Sequence, residues 1–210
     1  MHLVTLGDSW PFGQGVEKSY GKILADLLMA DKFTNVSQPA TSNEHQLLQL
    51  KKFIEEQPEA QSITAIFFLT SPHRCLFYDQ GSPLEIYPWA DETKGMQSYA
   101  YLKYLHSPEI EYFRLNQTVL ALQRICDYHN IRDFYFSGWH QLQLDWPGLD
   151  QSKIWKQSQE TAAHWIGAQC DGDRIDWTTS DNIIAGDCHP NQKGHEIIAG
   201  KLFDWISCQD

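Results

Sequence analysis

Short apolar runs alternate with amphipathic segments along this chain. Strand-like runs are predicted at 2–8, 33–38, 62–70, 133–138 and, more briefly, 173–177. A helical spacing of apolar residues predicts helices at 19–32, 42–57, 110–130, 152–168 and 191–208. The run 62–70, SITAIFFLT, is continuous in β-branched and aromatic residues, which is typical of a strand covered on both faces. Strands that alternate with helices of these lengths predict βαβ crossovers and a mostly parallel sheet, so we expect an α/β fold.

One connection in this pattern is much longer than the others. Residues 71–109 are rich in Tyr, Trp, Phe and Pro, and a structureless loop of that length is unusual in a compact domain. We therefore predict a partly helical functional insertion within a single domain of residues 1–210. Its aromatic residues would either offer a stacking platform or lid to a substrate, or pack the insertion against the sheet edge or a dimer partner; they are Tyr78, Tyr87, Trp89, Tyr99, Tyr101 and Tyr104.

Composition and charge exclude several classes of partner. The 210 residues are 42% hydrophobic, enough for one sizeable core. A formal net charge of −11 argues against binding to nucleic acid or to an anionic membrane surface. No apolar run approaches the length of a membrane-spanning helix, and the chain opens on a strand pattern rather than a signal peptide. Five cysteines without a CxxC pair favour reduced thiols, so we expect a cytoplasmic protein.

Polar residues that can carry chemistry follow the predicted strands. Ser9 follows the first strand, 38–43 the second and 70–74 the third, while the segment GDCHPNQKGH, 186–195, precedes the last helix. Open α/β sheets bind ligands at the carboxyl ends of their strands. Together these segments supply a hydroxyl, a histidine, an aspartate and backbone N–H groups, the types that acyl transfer to a nucleophile needs.

These segments resemble a known family. GDSW at 7–10 and DCHPNQKGH at 187–195 look like the first and last sequence blocks of the GDSL/SGNH hydrolases, in the family's order and spacing. The resemblance implies a three-layer α/β/α sandwich with a flavodoxin-like sheet, and hydrolysis of esters, thioesters or acetylated carbohydrates. It also implies that Ser9 is the nucleophile, that His189 is its base, and that the Ser9 N–H is one donor to the oxyanion.

The chain departs from the family pattern at the other oxyanion donors. The second block has Ala40 where the family has a glycine, and a backbone N–H survives that change. The third block, LTSPHR, lacks the family's asparagine. Ser71, Arg74 or Asn43 are the candidates to replace it, although Ser42 or Asn43 could equally cap the helix 42–57. Loss of one such donor typically lowers the rate about 10²- to 10³-fold.

The acid of the expected triad is also displaced. The family places it three residues before the histidine, where this chain has Gly186. Asp187 lies two residues before His189, and in an extended loop this spacing puts both side chains on one side. Either Asp187 or a backbone carbonyl would then orient His189. Cys188, His189 and His195 fit no common zinc spacing, so we expect neither a metal nor an organic cofactor.

The expected function is that of a serine hydrolase with a small ester substrate, and an acetylated carbohydrate is slightly favoured over a general carboxylic ester. Its activity would be weak, given the missing asparagine and the displaced acid. An inactive glycan-binding module on the same scaffold and a structural component of an assembly stay open, as does a homo-oligomer. A second Ser/His pair at Ser137 and His140 is disfavoured because nothing else accompanies it, and His73 would contact either substrate or solvent.

Overall fold

Four parallel strands form the central sheet of the chain. In the computed structural model, the structure describes residues 1–59, 61–79, 81–86, 100–101, 103, 105–155, 160–171 and 174–209. The strands are β1 His2–Leu6, β2 Lys32–Asn35, β3 Ile63–Leu69, β4 Cys75–Asp79, β5 Ser82–Ile86, β6 Arg132–Ser137, β7 Gln169–Asp171 and β8 Arg174–Asp176. The central sheet has the order β2-β1-β3-β6, and each pair within it is parallel. The predicted α/β class is confirmed.

Helices cover both faces of this sheet. They are α1 Ser9–Phe12, α2 Tyr20–Leu27, α3 His45–Glu56, α4 Pro108–Tyr128, α5 Ala162–Trp165 and α6 Gln192–Ser207. Along β3, Ile66 and Phe68 face the core that α2, α5 and α6 complete, whereas Phe67 and Leu69 face the core formed with α3 and α4. Alternate side chains of one buried strand thus serve two cores, which makes the architecture a three-layer α/β/α sandwich. Among the described residues, no helix combines the length and apolarity that a bilayer crossing requires.

The segment predicted as an insertion contains a hairpin. β4 pairs with β5 in antiparallel register, Cys75 opposite Ile86, and residues 100, 101 and 103 are helical. Tyr101 is buried and its ring contacts Phe77, whereas Tyr78 is exposed. The other aromatic residues named above lie outside the described residues: Tyr87, Trp89, Tyr99 and Tyr104.

The predicted helix 152–168 is wrong. Its first part is a short 3₁₀ turn, Gln151–Lys153, and its last part is the four-residue α5, while 156–159 lie outside the described residues. Between them, Ile154 bridges to Tyr135 of β6, and the Trp155 N–H donates to the Tyr135 carbonyl at 2.9 Å. The chain therefore satisfies the exposed edge of the sheet instead of continuing a helix.

Other boundaries shift by a few residues. The helix predicted at 19–32 ends at Leu27, and the next turn includes Met29 in a left-handed conformation, φ 51°. The strand predicted at 173–177 exists as β8, but it pairs with β7 in a separate two-stranded sheet. The last helix begins one residue after its predicted start, with Asn191 as its N-cap.

Candidate active site

A cleft of about 700 Å³ opens at the carboxyl edge of the central sheet. Ser9, Ala40, Ser71, Arg74 and His189 all line it, and they come from the four segments that the sequence analysis singled out. The volume lies within the range of small-molecule binding sites in proteins. The sheet topology thus brings residues 180 positions apart in the chain to one cleft.

Ser9 is held by a tight turn between β1 and α1. Gly7 has φ 140°, and a Cβ at this position would lie 2.8 Å from Pro11 and 2.9 Å from Phe68, so only glycine fits without displacing its neighbours. The side chain of Gln49 accepts the Gly7 N–H and donates to the Gly7 carbonyl, both at 2.9 Å. Ser9 is the first residue of α1. Its hydroxyl is therefore fixed at the end of a rigid strand.

The loop that carries His189 is fixed on two sides. Asn191 caps α6 by accepting the Gly194 N–H at 3.0 Å and donates its own amide to the Asp181 carbonyl at 2.8 Å. The indole of Trp10 donates to the carbonyl of Cys188 at 3.2 Å, which joins this loop directly to α1. The asparagine of the HPN segment therefore orients the loop, and Trp10 of GDSW holds it against α1.

Ser9, His189 and Asp187 form a continuous hydrogen-bonded row. The Ser9 Oγ lies 2.8 Å from His189 Nε2, and His189 Nδ1 lies 2.5 Å from Asp187 Oδ1. Asp187, rather than a backbone carbonyl, is therefore the partner of the imidazole. Burial acts to raise the pKa of Asp187, but the hydrogen bonds from His189 and from the Cys188 N–H outweigh it and lower this pKa below its ordinary value. The carboxylate is thus charged beside the ring.

A buried ion pair involves the residue next to Ser9 in the chain. Asp8 is fully buried, and its carboxylate accepts from Arg74 Nη1 at 2.9 Å, from the Thr70 hydroxyl at 2.9 Å and from the Trp10 N–H at 3.1 Å. Burial raises the pKa of Asp8, while Arg74 and the hydrogen bonds oppose this. Arg74 also donates to the Thr41 carbonyl at 3.2 Å. Asp8 and Thr70 are not predicted as site residues from the sequence; the aspartate next to the serine in GDS is the local signal for Asp8.

Two of the three candidates for the missing oxyanion asparagine line the cleft. Ser71 and Arg74 do so, and the Ser71 Oγ accepts the His73 N–H at 3.3 Å. Asn43 is buried and is not among the cleft-lining residues; its amide group donates to the Thr70 carbonyl at 3.0 Å and accepts the Thr70 N–H at 2.9 Å. Asn43 is also not a helix cap, since α3 begins after Glu44. It joins two loops of the site to each other.

Ala40, where the resemblance places a glycine, has a left-handed backbone conformation. Its φ is 62°, in the left-handed region that L-residues other than Gly, Asn and Asp rarely adopt. Such a conformation costs about 1 kcal/mol or more and persists only where the surrounding structure enforces it. The second block is therefore held in a glycine-like shape at the cleft wall.

Three indole rings form the aromatic part of the cleft. Trp10, Trp139 and Trp177, which we call the tryptophan wall, lie with ring centroids 5.3, 5.9 and 6.4 Å apart and all line the cleft. The guanidinium of Arg74 lies 5.5 Å from the Trp139 ring. The aromatic residues of the insertion are predicted either to contact substrate or to pack against the sheet edge or a dimer partner. Two indoles of the tryptophan wall instead follow β6 and β8. The periodicity of the sequence does not indicate that these two strand ends lie near Ser9.

Two disfavoured alternatives can be compared with the structure. The Ser137 hydroxyl donates to the backbone carbonyl of His140, not to its ring, so these residues do not form a second Ser/His pair. The ring of His195 is buried, and its Nδ1 accepts the Tyr20 N–H at 3.1 Å, so it does not join Cys188 and His189 in a metal site. Burial lowers the pKa of His195 to about 4.

Comparison with known proteins adds no family to this description: no family model matches the chain, and no curated protein matches it. The chemistry must therefore be inferred from the geometry of the site.

Proposed function

We propose that this chain is a serine hydrolase of the GDSL/SGNH type that cleaves a small ester through an acyl-enzyme. One observation carries the proposal: the Ser9 hydroxyl, the His189 imidazole and the Asp187 carboxylate are in hydrogen-bond contact, in that order, and Ser9 and His189 line the cleft. A nucleophile bonded to a base that a third group orients is the arrangement that activates serine in unrelated hydrolases.

The first half of the reaction forms the acyl-enzyme. His189 Nε2 takes the proton of the Ser9 hydroxyl as Oγ attacks the ester carbonyl carbon, and Asp187 stabilises the imidazolium that results. The tetrahedral intermediate then collapses: the bond to the leaving oxygen breaks, and His189 returns its proton to that oxygen. The alcohol departs, and the acyl group stays on Ser9.

Backbone groups at the same edge suit the developing oxyanion. Among the described residues, no hydrogen-bond acceptor contacts the Ser9 N–H, which leaves it to the substrate oxygen. Ala40 lines the same cleft at the place where the family resemblance puts a second N–H donor. Such donors act on charge that develops in the transition state. Water then attacks the acyl carbon as His189 takes its proton. The bond between the acyl carbon and Ser9 Oγ breaks, and His189 returns the proton to Oγ, which releases the acid and restores the enzyme.

An O-acetylated carbohydrate is the substrate class that the cleft favours. Aromatic rings such as those of the tryptophan wall bind the apolar faces of sugar rings. The cleft, at about 700 Å³, accommodates a group much larger than the acetyl itself. We therefore place the sugar against the indoles and the acetyl carbonyl at Ser9.

Labelling with a fluorophosphonate probe tests the enzyme proposal directly. We expect covalent labelling of the wild-type chain, none of Ser9→Ala, and unchanged labelling of Ser152→Ala, a matched change at an exposed serine in the turn Gln151–Lys153. Absence of labelling between about pH 6 and pH 9 would contradict the proposal. It would favour the inactive glycan-binding module, for which the lack of an asparagine in the third block is the supporting observation.

A comparison of substrates tests the carbohydrate assignment. We expect acetate release from an acetylated xylo-oligosaccharide with a higher kcat/KM than from a simple acetate ester of similar leaving-group acidity. Trp139→Ala should remove most of this preference by raising KM for the sugar, because stacking contributes about 0.5–1.5 kcal/mol beyond its buried area. Equal loss for both esters would contradict sugar stacking and leave a general carboxylesterase.

A further inference from the structure

A second cluster of histidines and a carboxylate lies beside the cleft and takes no part in the proposed reaction. Glu111, in the first turns of α4, has a fully buried side chain. One of its carboxylate oxygens lies 2.5 Å from Nδ1 of His73, and the other lies 2.5 Å from Nδ1 of His106. Each oxygen of a buried carboxylate thus has its own imidazole.

The three residues come from separate parts of the site's framework. His73 follows β3 in the segment that also carries Ser71 and Arg74, and it lines the cleft. His106 lies just before α4, five residues ahead of Glu111. No local pattern in the sequence joins these segments, so the sequence predicts for His73 only a contact with substrate or solvent.

The geometry of the cluster suits a tetrahedral metal ion. One ligand atom from each of His73, His106 and Glu111 lies within 4.8 Å of the other two. Zinc bonds to imidazole nitrogen and carboxylate oxygen at about 2.0–2.2 Å, so its tetrahedral ligands lie about 3.4 Å apart. The hydrogen bonds from the two Nδ1 atoms to Glu111, both at 2.5 Å, hold the three candidate ligands close together in advance.

The types of the three ligands and their exposure to solvent also favour a zinc ion. Two imidazoles and one carboxylate favour zinc and similar transition cations over Mg²⁺ and Ca²⁺, which prefer oxygen ligands alone. The His106 side chain is 32% exposed and that of His73 25%, so an ion can enter from solvent and a water can complete the fourth position. The positive charge of the nearby Arg114 is compensated by Glu44, whose Oε1 lies 2.7 Å from Arg114 Nη2.

We infer that His73, His106 and Glu111 bind one zinc-type divalent cation at the outer wall of the cleft. The cation fastens the start of α4 to the segment 70–74, from which Ser71 and Arg74 face the cleft. The site is independent of the Ser9 chemistry, and its existence does not depend on the proposed hydrolase activity.

Titration of the metal-stripped chain with Zn²⁺, followed by calorimetry and by thermal unfolding, tests this site. We expect one equivalent to bind and to raise the melting temperature. His106→Asn, at an exposed position, and Glu111→Gln should each weaken binding at least about 100-fold. His129→Asn changes an exposed histidine at the far end of α4 and should leave binding unchanged. Far-UV circular dichroism of every variant verifies that each has folded.

A second candidate group makes the test specific. Asp187, Cys188 and His189 also lie close enough together to hold a metal ion, and a cation there would block the nucleophile's base. With Co²⁺ as the probe, the inferred site gives a spectrum without thiolate-to-metal charge transfer, and binding persists in Cys188→Ala and in Ser9→Ala. Absence of stoichiometric binding, binding retained by His106→Asn, or a thiolate band lost in Cys188→Ala would each overturn the inference. Because the readout is metal binding, none of these outcomes bears on ester hydrolysis.

Discussion

Two histidine–carboxylate pairs, whose histidines both line one cleft, have the same contact and different surroundings. His189 Nδ1 lies 2.5 Å from Asp187, and His73 Nδ1 lies 2.5 Å from Glu111. The Asp187 side chain is 36% exposed, and the other nitrogen of His189 meets a serine hydroxyl. The Glu111 side chain is fully buried, and its second oxygen meets another imidazole.

The third group decides what each pair is suited to do. A hydroxyl on the far nitrogen of an imidazole gives the ring a proton to take, so the Asp187 pair suits acyl transfer. At Glu111 the third group is a second imidazole on the same carboxylate. The cluster then contains two nitrogen ligands and one oxygen ligand close together, which suits the binding of a cation. A histidine–carboxylate contact alone does not distinguish a base from a ligand.

The largest expected effect comes from removal of the imidazole beside the serine. His189→Gln should lower kcat for ester hydrolysis about 10⁶-fold, because loss of the base in a serine triad costs about as much as loss of the whole triad. His129→Gln, at an exposed histidine outside both clusters, should retain full activity. A loss of less than about tenfold in His189→Gln, measured by initial rates at saturating substrate, would be incompatible with His189 as the base.

The carboxylate of the same pair has the next largest effect. Asp187→Asn should lower kcat by up to about 10⁴-fold with little change in KM, since an amide at this position misorients the ring or stabilises its wrong tautomer. An unchanged kcat would mean that solvent, which reaches this partly exposed side chain, orients His189 equally well. Steady-state kinetics of the purified variant distinguish the two outcomes.

A third histidine shows what burial does when no carboxylate is present. Among the described residues, the ring of His195 has only the Tyr20 N–H as a hydrogen-bond partner, and its pKa is lowered to about 4 from 6.5. Between these pH values the unfolded chain binds a proton that the folded chain does not. The free energy of unfolding should therefore fall by up to about 3 kcal/mol as the pH decreases from 6.5 to 4.

Urea unfolding at several pH values measures this acid sensitivity. His195→Gln keeps an acceptor for the Tyr20 N–H and should flatten the dependence on pH, whatever its own stability at pH 7. His129→Gln should leave the slope as it is in the wild-type chain. An equally steep slope in His195→Gln would assign the acid sensitivity to groups other than His195.

The smallest expected effect concerns the left-handed residue at the cleft wall. Ala40→Gly should stabilise the fold by about 1 kcal/mol, because glycine adopts φ 62° without the steric cost that alanine pays. The same substitution at Ala121, inside α4, should destabilise by about 1 kcal/mol. Urea midpoints of the two variants would show opposite shifts; a loss of stability in both would mean that Ala40 is not strained.

The sequence predicts the sheet and the long helices well because their patterns are local and strong. The strand β3 is apolar throughout, and α3, α4 and α6 have helical spacing of apolar residues. The helix predicted at 152–168 fails because a tertiary contact prevails over local propensity: the backbone of Trp155 pairs with Tyr135 at the edge of β6. No sequence pattern within 152–168 indicates that contact.

The residues of the candidate site also differ in how well the sequence predicts them. Ser9 and His189 are predictable because short motifs carry them, and the family resemblance supplies their pairing. Three other features of the site depend on which loops come into contact in the folded chain, and residue spacing along the sequence does not indicate these contacts. They are the position of Asn43 between two loops, the ion pair of Asp8 with Arg74, and the tryptophan wall. The contacts of Glu111 with His73 and His106 are of the same kind, since two segments 38 residues apart must meet to form them.

The most direct measurement is the identity of the residue that carries the acyl group during turnover. Rapid acid quenching of the chain during hydrolysis of p-nitrophenyl acetate, followed by peptide mass spectrometry, would locate it. The account predicts one acetyl group, on the peptide that contains Ser9 and on the Ser9 oxygen. Acetylation of Cys188, the exposed thiol beside His189, or continued hydrolysis by Ser9→Ala at the wild-type rate, would contradict it.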